Sequence, residues 1–138
     1  MTDFSDYLEN ELLDHVLKGL AFTAPVTVGL SLWTAATSDA GGGTEVTNAN
    51  AYARLEVEGA TGRTFSVAAA GTTDNDQDWD FAAASGGNWG TVGWLAIVDS
   101  ITHGAGNFLF HGAVTTAKAV NDGDIARFGT GNLDVTLD

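Results

Sequence analysis

The stretch from Trp89 to Ala113, WGTVGWLAIVDSITHGAGNFLFHGA, limits the folds open to this chain more than any other. At a period of two, Trp89, Thr91, Gly93, Leu95 and Ile97 share one face, and Val92, Trp94, Ala96 and Val98 share the other. Both faces are largely apolar, so the strand needs cover on both sides, as in a sandwich or a barrel. Asp99 to Asn107 is rich in Gly, Ser, Asn and Asp and turns the chain. Phe108 to Ala113 then returns, with Phe108 and Phe110 on one face and Leu109 and His111 on the other.

The chain around this pair falls into one helix and a series of short strands. Phe4, Leu8, Leu12, Val16 and Leu20 recur every fourth residue, and Leu13 and Leu17 widen the stripe, which predicts a helix over about residues 3–20. Thr2 or Ser5 can cap its start, acidic residues sit near that end, His15 and Lys18 sit near the other, and Gly19 stops it. The stripe either packs on the domain's own sheet or docks on a partner. From Val26 the period changes to two, with Val26, Val28, Leu30 and Leu32 on one face. Thr37 to Asn50 is a long polar loop containing three consecutive glycines. Tyr52 to Glu58 alternates, which places Ala53, Leu55 and Val57 inward and Arg54, Glu56 and Glu58 outward. Gly59 to Arg63 turns the chain, and Phe65, Val67 and Ala69 mark a short strand. Val114 to Val120 reads as a strand or as an extension of the one before it, and Ile125 to Phe128 and Leu133 to Leu137 complete the set. Eight or nine short strands at near-regular spacing predict an all-β fold, a β-sandwich or jelly roll, with one N-terminal α-helix. No linker or fixed-period repeat divides the chain, so residues 1–138 read as one domain, with the sandwich from about residue 26.

Composition narrows the function classes. Eighteen acidic residues against five basic ones give a net charge of −13. That argues against binding nucleic acid, which needs a basic face, and against anionic membranes. Leu20 to Ala36 is apolar but alternates and contains Pro25 and Gly29, so it reads as a strand and not as a membrane span. There is no cysteine. Asp74, Asp76 and Asp78 are spaced as in the first half of a calcium loop, but Trp79 and Ser85 stand where an EF-hand needs Gly and Glu. His15, His103 and His111 show no zinc spacing, and there is no nucleophile elbow or phosphate loop. The chain is therefore read as non-enzymatic and without a cofactor or metal. Trp79, beside four aspartates, is the tryptophan expected to meet a partner, by interface contact or by stacking on a sugar. The candidate interface residues are Phe4, Tyr7 and Leu8 of the helix, Glu45 of the glycine loop, and Trp79 and Phe81.

Three stretches together resemble a known family: DYLENELLDHVLKG with PVTVGLSLWTA, then GGGTEVTNANAYARLEVE, then WGTVGWLAIVDS with NFLFHGAVTTAKAVNDGD and GNLDVTLD. The chain resembles the small tail-fibre-like virion structural proteins of tailed bacteriophages, from about Tyr7 to Asp138. The resemblance implies a structural protein of the virion. No shaft, heptad stretch or collagen-like repeat is present, so the leading expectation is a head decoration (cement) protein. Such a protein would be a homotrimer bound to the major capsid protein, on the outer head surface. The alternative is a tail fibre or tail-tip component bound to other tail proteins, with glycan binding as a further role.

Overall fold

A computed structural model describes residues 3–57 and 63–137. Among the described residues one helix and ten strands follow in the order β1 (Asp3–Phe4), α1 (Asp6–Lys18), β2 (Val28–Ala35), β3 (Thr44–Glu45), β4 (Leu55–Val57), β5 (Thr72–Thr73), β6 (Trp79–Asp80), β7 (Gly90–Val98), β8 (Phe108–Val120), β9 (Arg127–Phe128) and β10 (Val135–Thr136). The main sheet is antiparallel and runs β1-β8-β7-β2-β3, with β4 also paired to β2. Two small ribbons, β5 with β10 and β6 with β9, stand apart from it. The all-β class with one N-terminal helix is the observed one.

The doubly apolar strand sits at the centre, where its pattern requires it to be. β7 pairs with β2 on one side, Leu30 opposite Ile97 and Leu32 opposite Leu95. It pairs with β8 on the other, Ile97 opposite Phe110 and Ala96 opposite His111. Leu30, Leu32, Leu95 and Ile97 join the main core with Trp79, Phe81, Trp89, Leu133 and Val135. The two ribbons thus close one face, as a second layer broken into short pieces. Short pieces follow from the sequence there, since turn-forming Gly, Asn and Asp interrupt every apolar run. On the opposite face Trp33, Ala96 and Val98 are buried in a second cluster with Trp94 and Phe108 against them. Ser31 serves that face as a polar tie: its hydroxyl donates to the Ala96 carbonyl at 3.0 Å and accepts the Trp33 indole N–H at 2.8 Å.

Several local expectations are corrected. Ala53 is exposed and Arg54 is buried, because Arg54 has an anionic partner inside (below). Val67 is 95 % exposed, and only single bridges, Phe65 with Asn75 and Ala69 with Thr72, mark the strand expected there. Glu58 and most of the turn from Gly59 to Arg63 lie outside the described residues. Val114 to Val120 extend the strand that begins at Phe108, and the resulting β8 is not regular. Val92 opposes Lys118 while Trp94 opposes Ala113, so Val114 to Ala117 bulge out opposite the single residue Gly93.

Leu32 lies under the centre of the sheet at 1 % exposure, and shortening it leaves a cavity that rigid strands on both sides cannot fill. Leu32→Ala is expected to lower unfolding free energy by about 2–5 kcal/mol in chemical denaturation. A loss under about 1 kcal/mol, the range of ordinary surface changes, would contradict this assignment of the core.

Candidate interaction surface

The helix is built to stand without a partner. Ser5 is its N-cap, with extended backbone, and its hydroxyl accepts from the Leu8 N–H at 3.2 Å. The same hydroxyl donates to the Phe108 carbonyl, and the Ser5 N–H donates to the Leu109 carbonyl at 3.1 Å, which ties the cap to β8. At the other end Gly19 takes a left-handed conformation (φ 70°) and its N–H returns to the Asp14 carbonyl. Lys18 pairs with Asp14 at 2.6 Å, and His15 Nδ1 donates to the Leu20 carbonyl at 2.8 Å.

Only the first half of the helix is covered. Leu8 is buried, and Phe4, Tyr7 and Leu12 are half-buried against the core; the Phe4 ring lies 5.2 Å from that of Phe110. Beyond Leu12, Leu13 is 56 % exposed, Val16 74 %, Leu17 75 % and Leu20 54 %. Helix geometry contributes to the split. At 3.6 residues per turn, a four-residue spacing drifts by about 40° per step, so Val16 is turned about 80° from Leu8. Leu20 lies past the Gly19 cap, outside the helix.

The remaining candidates from the sequence lie inside the molecule. Glu45 and Arg54 form a buried ion pair, with side chains 4 % and 2 % exposed. Arg54 Nε donates to Glu45 Oε1 at 2.7 Å and Nη2 to Oε2 at 2.9 Å; Nη1 donates to the carbonyls of Ser100 (2.9 Å) and Ala105 (2.7 Å). The Tyr52 hydroxyl donates to Glu45 Oε1 at 3.1 Å and accepts the Leu32 N–H at 3.0 Å. Burial would raise the Glu45 carboxyl, but the hydrogen bonds and charge of Arg54, with His103 and Tyr52, hold it below the ordinary value. Burial pushes the Tyr52 hydroxyl far above its usual range, so it remains a donor. Trp79 is 0 % exposed, its ring 5.0 Å from Phe65, and Phe81 is 3 % exposed. Neither offers a face to a partner or a sugar. Trp79 is buried because β6 alternates: the indole points inward while Asp78 and Asp80 remain outside.

The aspartates of the acidic run are engaged in local structure. Asp74 accepts from Ser66 at 2.5 Å, Asp76 from the Thr64 hydroxyl, and Asp78 from the Thr130 N–H (2.8 Å) and hydroxyl (3.1 Å). Arg127 forks onto Asp80 at 2.5 and 2.6 Å. Those bonds hold the Asp78 and Asp80 carboxyls below their ordinary values. Among the described residues no group of three or more His, Asp and Glu is placed to hold a metal ion, and no helix is long and apolar enough to cross a membrane. An open groove of about 690 Å³ runs beside the β8 bulge, lined by Val92, Leu95, Val114, Lys118, Phe128 and Leu133 among others.

The geometry is that of a capped helix with a bare apolar half-face on a β-rich body. The family model for the podophage GP4 fiber I protein gp80 matches residues 3–136, and so takes in both the helix and the whole β body. The chain belongs to that family. It is thus a phage tail-fibre-like structural protein of the virion, as the resemblance in its sequence implied. Comparison with curated proteins returns no match.

The buried pair makes two expectations for this fibre-family chain. Arg54→Met removes one partner and leaves a carboxylate buried alone, which is expected to lower stability by about 3–5 kcal/mol in urea titration. Loss under about 1 kcal/mol would mean the pair is not the anchor described. Because the folded carboxyl titrates below its ordinary value, the stabilisation is complete above about pH 4.5 and falls as the pH drops through the folded value. Glu45→Gln should therefore show a flatter fall of melting temperature between pH 5 and pH 3 than wild type, and coincident pH profiles would refute the assignment.

Proposed function

We propose that this chain is a non-enzymatic structural component of a phage tail fibre, bound to other tail proteins. The observation that carries the reading is the match to a fibre protein family over residues 3–136. The geometry supports it. The buried Glu45–Arg54 pair is spent on an internal tie, while the largest bare hydrophobic side chains of the helix face outward. Membership of a fibre family supports the tail reading better than the head-decoration expectation. The half-bare helix suits a fibre module that is seated on a neighbouring protein.

Copy number and position test this together. Quantitative mass spectrometry of purified particles is expected to give a copy number far below that of the major capsid protein, and gold-labelled antibody is expected to mark the tail in electron micrographs. Label spread over the head, in simple proportion to the capsid protein, would overturn the proposal and restore decoration.

A further inference from the structure

One exposed face of α1 changes character along the helix. At 100° per residue, Asp6, Glu9, Leu13, Val16 and Leu17 fall within an arc of about 100° that adjoins the one carrying Leu8 and Leu12. Asp6 and Glu9 are exposed and stand in the N-terminal half, and Leu13, Val16 and Leu17 follow in the C-terminal half, with Leu20 just past the cap. We infer that this face seats in a groove of another virion protein, apolar at the end that receives Val16 and Leu17 and lined with Lys or Arg at the end that meets Asp6 and Glu9.

The charge balance favours that occupant over a second copy. The chain carries a net charge of −13 with only five basic residues, so another copy meets the acidic end of the helix with repulsion, and a basic rim meets it with attraction. A groove wraps both the apolar face and its acidic continuation. Finally, both ends of the helix are capped within the monomer, so little ordering opposes docking. The inference rests on the chain being a virion protein and is indifferent to whether the tail or the head holds it.

The test is add-back of the purified chain to particles assembled without it, with occupancy read by mass spectrometry. Val16→Ser with Leu17→Ser is expected to weaken uptake at least tenfold while circular dichroism and melting temperature remain those of wild type. Val67→Ser, more exposed still but off the helix, is expected to change nothing. Glu9→Lys should weaken uptake as well, and wild-type uptake should fall as salt rises from 50 to 300 mM, on the order expected from Debye screening. A folded double variant that binds as wild type overturns the docking face, and indifference to Glu9→Lys and to salt overturns the basic end. Where particles do not form without the chain, a photo-crosslinker at position 17 in intact particles replaces the add-back. Crosslinks to an apolar, Lys- or Arg-containing segment of another protein support the inference; crosslinks solely between copies overturn it. The location of gold label judges the fibre reading separately.

Discussion

The structure depends on the way one buried ion pair closes the edge of the main sheet. The outer edge of β2 is shared by two short strands, β4 along Val28 to Leu30 and β3 along Trp33 to Ala35. Between them the Leu32 N–H has no strand partner, and the Tyr52 hydroxyl takes its place in the ladder; the Leu32 carbonyl accepts from Val46 at 2.9 Å. Tyr52 is held there by Glu45, Glu45 by Arg54, and Arg54 by the carbonyls of the loop after β7. One carboxylate thus fixes an edge strand, a tyrosine and a remote loop. A buried charge pair gains little over a well-packed apolar pair in stability, but it is costly to break and tolerates few alternative arrangements. Here it specifies how three irregular segments meet.

The loops need such a fixed point because the strands around them are short. Gly43, in the left-handed region at φ 86°, brings the chain within reach of β2: a Cβ there would lie 2.5 Å from the Ala36 carbonyl oxygen. His111, buried on β8, accepts or donates to Thr37 at 3.1 Å and pairs with Asp39 at 2.9 Å, and so draws the loop after β2 over the sheet. Asp39 in turn accepts the first helical N–H, that of Asp6, through its carbonyl. The rigid sheet, the glycine loop and the helix start form one connected unit. The second half of the helix leaves that unit, and this gives the protein a stiff arm with an unpaired surface.

Much of this was legible in the residues. The central strand announced itself by being apolar on both faces, and burial on both faces is what the structure shows. The helix stop followed from Gly19 by cap chemistry, whereas its start was open between Thr2 and Ser5; Ser5 is the cap, and Asp3 and Phe4, expected in the helix, pair as β1. Arg54 misled because alternation assigns it outward, and alternation has no means of representing a guanidinium matched to a buried carboxylate contributed from nine residues upstream. Trp79 misled for the converse reason: its acidic neighbours suggested a surface, whereas the strand period sends neighbouring side chains to opposite faces.

Local chemistry by itself determined the class of fold, the position of the helix and the strand at the centre, since these depend on periods and caps that act within a few residues. It also carried the family resemblance that the family match later established. Only the tertiary structure decided which half of the apolar stripe is covered. A helix stripe is a property of one element, but its burial depends on where the sheet ends, and that edge is set by pairing between Asp3–Phe4 and residues more than a hundred positions later, Phe110 and His111.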